Sequence, residues 1–276
     1  MTALVALLAA ILVGSADFLL GVAARDSNPF SVPLISQTCG LLTLVISVIV
    51  VDNSGVLFED MAWGAAAGTV SAAGYIVFLA AIRLGQMSLV APIAAATGAI
   101  IPAIYDLVFS QTPNISTSIG IVIAITAIIF VSLQEPEVSE KSFQATLLAL
   151  TSGCLFGVFF LSLSFTSTDA GIWPLVASRV VSIPLLIVVN LFATRGIHFS
   201  RSALKGTAIA GTIEMIASVL ILWALRRGPV AVAGVFGSLY PTSTILLAWF
   251  ILGERLRNIQ KFGVVLALAA IAITAL

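Results

Sequence analysis

The sequence predicts an all-α polytopic membrane protein: ten transmembrane helices arranged as two inverted five-helix repeats. Three observations predict it. Apolar residues make up 60% of the 276 residues and charged residues 9%, with a mean hydropathy of +1.19. An ordinary soluble domain is roughly 45–50% apolar and about 25% charged, and no soluble fold of this size can bury the excess. The apolar residues fall in runs of spanning length, about 20 residues each. Finally, the second half of the chain repeats the first.

The ten runs cover roughly 3–24, 31–51, 61–82, 87–109, 116–134, 144–165, 172–193, 203–225, 230–252 and 259–276. The breaks carry turn punctuation: Arg25 to Pro29, Asp52 to Gly55, Gln111 to Asn114, Glu135 to Lys141, Ser167 to Asp169, and Arg195 to Arg201. Ten spans leave no room for a soluble domain. Met1-Thr2-Ala3 lacks a basic lead-in, so the first run reads as a retained helix rather than a cleaved signal peptide. An outer-membrane barrel would show alternating segments of about ten residues instead.

The break at 135–143 divides the chain into segments 1–137 and 138–276. Sliding the sequence by 143 residues lays Ala67-Gly68-Thr69-Val70-Ser71 over Ala210-Gly211-Thr212-Ile213-Glu214. It also lays Ala81-Ile82-Arg83-Leu84-Gly85 over Ala224-Leu225-Arg226-Arg227-Gly228, and Gly120 over Gly263. Five helices per unit is an odd number, so the two units enter the membrane from opposite sides. Inverted repeats of this kind are a common architecture of secondary transporters.

Charge excludes other classes. Twelve Lys and Arg balance twelve Asp and Glu, so there is no basic face for nucleic acid. Cys39 and Cys154 lie inside apolar runs and read as small buried hydrophobes. No metal or cofactor is expected. No His-Glu-x-x-His, Gly-x-Ser-x-Gly or phosphate-binding loop is present, which leaves an intramembrane enzyme only as a remote alternative resting on two acids. The lone His198 lies in a polar break.

The second half resembles the drug/metabolite transporter superfamily, specifically its ten-helix proteins with two EamA-type domains. Three features carry the resemblance. Arg226-Arg227-Gly228-Pro229-Val230-Ala231 is similar to that family's turn between its third and fourth helices. Tyr240-Pro241 falls where the family commonly has a proline. Leu252-Gly253-Glu254-Arg255 matches its hallmark helix end. The first half departs from the pattern, with Ser110-Gln111 at the corresponding place. The resemblance implies a basket of helices around a central cavity and alternating-access transport of small organic metabolites, often export. It implies a multi-pass protein of the inner (plasma) membrane, expected here as a monomer, with a small solute and coupled protons as its partners.

Ionisable groups near mid-bilayer are costly and are therefore site candidates. Glu214 is the most central, Asp17 lies two-thirds along the first run, and Arg179 lies eight residues into the seventh. Asp106 sits close enough to a helix end to reach the interface by snorkelling. Spacing places Gly14, Asp17 and Gly21 on one stripe, Gly211, Glu214 and Ser218 on another, and Gly68, Ser71 and Tyr75 on a third. In the resembled family the helices bearing these stripes line the cavity. Thr97, Ser238, Tyr240 and Thr242 would add polar groups from the fourth and ninth helices, and Phe156 an aromatic wall. Glu214 or Asp17 would bind a substrate amine or carry a proton. The competing reading is that one of them only pairs with Arg179 to hold the bundle. A site for uncharged or sugar-like solutes would rest instead on Ser71, Tyr75 and Tyr240. Pro92, Pro102, Pro184 and Pro241 fall inside spans and would act as kinks or hinges.

Of the eleven Lys and Arg in loops, nine lie on the odd-numbered loops: Arg25, Arg83, Lys141, Arg195, Arg201, Lys205, Arg255, Arg257 and Lys261. Only Arg226 and Arg227 lie on even-numbered ones. The positive-inside rule then puts both termini outside, against the resemblance, which implies termini inside.

Overall fold

The computed structural model describes residues 1–23, 27, 31–51, 55–84, 87–109, 115–132, 140–194, 199–253 and 256–274. Among them the only regular structure is helix: α1 (Thr2–Ala23), α2 (Ser31–Val51), α3 (Phe58–Leu84), α4 (Met87–Phe109), α5 (Ile115–Ser132), α6 (Glu140–Ser164), α7 (Trp173–Thr194), α8 (Arg201–Arg227), α9 (Val230–Gly237), α10 (Tyr240–Leu252) and α11 (Asn258–Thr274). Seven segments are long and apolar enough to cross a membrane: α1, α2, α3, α6, α7, α8 and the stretch Val230–Leu252. Shorter apolar stretches run over Ile93–Phe109, Ile115–Val131 and Asn258–Ala270. The chain is a polytopic membrane protein.

Helix is what an apolar solvent demands, because each backbone N–H and C=O must find its partner within the segment. Polar side chains inside the helices comply by bonding back to a carbonyl one turn earlier, as Ser15 does to Ile11, Thr43 to Cys39 and Thr126 to Val122. At the end of α10, Gly253 takes a left-handed conformation (φ 69°) and its N–H reaches the Ala248 carbonyl, the glycine-terminated ending that a Cβ would strain.

The ninth run, expected as one helix over 230–252, is two. Pro241 is the physical reason: it has no N–H, and its ring cannot sit beside the carbonyl four residues back, that of Gly237. Around the break the chain tightens. Leu239 N–H bonds to Phe236 O at 3.2 Å and Thr242 N–H to Leu239 O at 3.0 Å. The break also marks a change of surroundings, since α9 is buried along most of its length and α10 has no fully buried residue. Pro184 lies within an unbroken α7. Pro102 packs where Gly234 of α9 leaves room for its ring. The side chain of Pro92 lies outside the described residues.

Packing runs across the two halves of the chain. α1 packs on α8 and α3 on α6; α2 packs on α8 and α3 on α7; α5 packs on α11. Two close approaches fix this arrangement. A Cβ on Gly68 of α3 would strike the Ser178 carbonyl of α7, and one on Gly211 of α8 would strike the Ser36 carbonyl of α2. The two glycines stand 143 residues apart in sequence and the two serines 142. Small residues at such points let helix backbones close up in a bilayer, where hydrophobic burial supplies no drive. The core reflects this, with Ala6, Ala9 and Ala10 of α1, Ala217 and Ala224 of α8 and Ala124 and Ala127 of α5 fully buried.

The ends of the bundle can be told apart. Gly228, after α8, lies against Thr2, at the start of α1, so these helices run antiparallel. We call this the first end. At the opposite, second end, the Ser200 N–H ahead of α8 donates to Ser27 Oγ at 3.1 Å, and Asn190 near the end of α7 donates to Ser31 Oγ at the start of α2 at 3.4 Å.

A carboxylate pair inside the bundle

The close approach at Gly211 positions the site. It presses α8 onto α2, and Glu214, one turn on, faces Ser36 of α2 and Arg179 of α7. Ser36 Oγ donates to Glu214 Oε2 at 3.5 Å. An Arg179 Nη lies 3.4 Å from Glu214 Oε1. Arg179 is 5% exposed and Glu214 26%, and the Arg179 Nε finds no hydrogen-bond partner. The pairing expected as the competing reading is therefore present, but it is long and leaves donors of the guanidinium unused.

Asp17 differs. It interacts electrostatically with Glu214, Tyr75 and Tyr240, and among the described residues it has no ion pair or hydrogen bond. On α1 it points away from the lipid-facing stripe of Leu4, Leu8, Ile11 and Val22, yet it is half-exposed. Inward-facing but open to solvent, it looks into a crevice. The crevice has a direction. On α1, Ala6, Ala9 and Ala10 are sealed while Val13, Asp17 and Leu20 are half-exposed. On α3, Gly64, Ala67 and Gly68 are sealed while Ser71, Tyr75 and Phe78 are half-exposed. Both helices start at the first end, so access comes from the second.

Tyr75 and Phe78 lie 6.4 Å apart, and Phe78 and Phe156 6.5 Å apart, centroid to centroid. They form an aromatic wall from α3 to α6, as expected for Phe156. With both carboxylates ionised and one guanidinium present, the crevice carries one excess negative charge beside aromatic faces. That is a setting for a small cation.

Other expected residues are placed differently. Ser238 is buried, with its hydroxyl bonded to the Gly234 carbonyl, so it serves the α9–α10 break. Thr97 bonds back to Ile93 and packs against Gly153 of α6. Ser218 bonds back to the Glu214 carbonyl. The Thr242 hydroxyl is buried without a partner. Gly21 has open space around it, unlike Gly14, which is closed by Tyr240 and Ser243 of α10. Asp106 does not snorkel. It is 2% exposed and accepts from the Ala231 N–H at 2.7 Å, because the first turn of a buried helix has N–H groups that need an acceptor. His198, Arg25, Arg195, Glu254, Arg255, Ser110 and Gln111 lie outside the described residues, as does the side chain of Lys141.

Sequence reasoning missed Ser36. Its signal was present: Ser36 and Ser178 are related by the repeat offset, and the expected glycines Gly211 and Gly68 each land on one of them.

Among curated proteins none matches the sequence. One solved crystal structure matches the fold with a TM-score of 0.81, covering 99% of this chain and 95% of its own at 14% identity; it speaks to the fold alone. Residues 143–276 match the EamA-like transporter family. Through that segment, most of α6 and all of α7 to α11, the chain belongs to the EamA-like transporter family.

Proposed function

We propose that the protein is a secondary-active carrier of the inner (plasma) membrane that exports a small amine-bearing metabolite or amino acid by alternating access. The observation that carries the reading is Asp17, an inward-facing carboxylate with no partner, reached from one end of the bundle. A cationic solute would supply the missing charge. Glu214, held by Arg179 and Ser36, keeps the local excess at one negative charge, and the Tyr75, Phe78 and Phe156 rings offer apolar and cation–π contact to the rest of the solute.

The proposed frame is ten spans in two inverted units, 1–137 and 138–276, rocking about the midplane site. The contacts exchanged between halves, α1 on α8 with α3 on α6 and Gly211 on Ser36 with Gly68 on Ser178, support it. In this frame the odd-numbered loops lie at the second end, and the charge bias puts that end in the cytoplasm. The crevice then faces the compartment from which an exporter loads.

A ligand screen by thermal shift tests the substrate class. Amines or amino acids should raise the melting temperature, because binding to the folded state alone stabilises it by mass action. Stabilisation by sugars or nucleosides only would overturn the amine reading and favour an uncharged solute held by Ser71, Tyr75 and Tyr240.

A further inference from the structure

We propose that Asp60 and Arg226, gripping the turn between α6 and α7, form the gate that keeps the first end closed. The proposal rests on the alternating-access reading. Asp60 stands in the first turn of α3, 4% exposed. One carboxylate oxygen accepts from the Ser167 N–H at 2.6 Å and the other from Ser167 Oγ at 2.8 Å. Arg226 stands in the last turn of α8. Its Nε donates to Thr166 Oγ1 at 2.9 Å and an Nη to the Gly171 carbonyl at 2.6 Å. The turn is thus held from two sides by charge-assisted hydrogen bonds, the stronger kind.

The position of these two helices makes the grip more than a loop fastening. α3 carries Ser71 and Tyr75, and α8 carries Glu214; they are two walls of the crevice. The turn spans them at the first end, so separating the walls there requires breaking contacts to Asp60 or Arg226. Beneath the grip the interior is closed: Ile221 and Leu225 of α8 and Ala6 and Ala9 of α1 are buried. The second end is fastened differently. The repeat offset puts Ala203 where Asp60 stands, and the bond beside it is the neutral one from the Ser200 N–H to Ser27 Oγ. A charged carboxylate clamp at the first end, with a neutral one in its place at the second, biases the resting protein toward opening at the second end. This agrees with the direction in which the crevice is accessible.

The test is maleimide labelling of Ile221→Cys in a background where Cys39 and Cys154 are Ala, on purified full-length protein in detergent. With the gate intact, N-ethylmaleimide should react slowly. Asp60→Asn and Arg226→Gln should each raise the rate by about ten- to a hundred-fold, the range set by losing one charge-assisted contact. Ser167→Ala, a milder change, should give a smaller rise and serves if the charge variants do not purify. Ala127→Cys, buried in α5 and remote from the gate, is the control. Unchanged labelling of the Ile221→Cys protein would overturn the proposal. So would a parallel rise at both cysteines, which would mean the clamp only holds the fold together. The readout needs no substrate: a labelling response in a protein that carries no solute would preserve the gate and sink the transport reading.

Discussion

Two carboxylates within electrostatic range of one another have been given different surroundings, and the difference assigns their roles. Glu214 has Arg179 and Ser36; Asp17 has no counter-charge. Asp17→Asn should therefore leave the melting temperature unchanged or slightly higher, since it relieves an unpaired, partly desolvated charge. It should reduce solute binding by about ten-fold or more, read by titration of a stabilising amine. Glu214→Gln should behave differently. It leaves the Arg179 guanidinium, 5% exposed, without a counter-charge. A closed buried pair broken this way costs about 3–5 kcal/mol. Water reaches Glu214, so about 1–3 kcal/mol is expected here, and the double variant with Arg179→Gln should recover most of it in a thermal or chemical melt. The identities of Asp17, Glu214, Tyr75 and Phe156 as site residues were legible in the sequence, because ionisable and polar groups on small-residue stripes have few reasons to be in a bilayer. Their division of labour was not legible, because it depends on which helix each faces across the bundle. Ser238 and Thr97 show the same limit. As polar residues in apolar runs they looked available, but their hydroxyls are bonded to their own helices.

At the scale of helices, close packing and helix ends decide which positions tolerate change. Gly211→Ala places a methyl against the Ser36 backbone, where neither partner is a flexible side-chain end. It should cost about 1–3 kcal/mol, as overpacking does. Gly21→Ala meets nothing within 4 Å and should be neutral or stabilising by about 0.5–1 kcal/mol. Equal melting temperatures for the two variants would contradict the packing described here. Asp106→Ala strips the acceptor from the Ala231 N–H at the start of buried α9. About 1–3 kcal/mol of stability should be lost, with substrate affinity in the surviving folded fraction unchanged. Helix positions were legible to within a few residues because the apolar runs are long and their breaks polar. The division at Ser238-Leu239 was not, because nothing in the apolar run 230–252 except Pro241 marks it, and a proline inside a span is as compatible with a kink as with a break. The Asp106 role also needed the fold, since its partner is 125 residues away.

For the whole molecule, the sequence offset of 143 residues foretold which helices would meet across the halves, and the paired contacts at Gly68 and Gly211 agree with it. The direction in which the crevice opens left no trace in the pattern, because it depends on how the helices tilt against one another. Orientation in the membrane follows from charge: a reporter fused after Leu276 should report the periplasmic side, and one active only in the cytoplasm would reverse the assignment of ends. The central claim is that a cationic solute crosses through a site built on Asp17. Counterflow in proteoliposomes, using whichever amine or amino acid gives the largest thermal shift, measures it most directly. The account predicts saturable exchange by the native protein and loss of exchange by an Asp17→Asn protein of equal melting temperature and reconstitution. Undiminished exchange by that variant, or flux that rises linearly with solute without saturating, would contradict it.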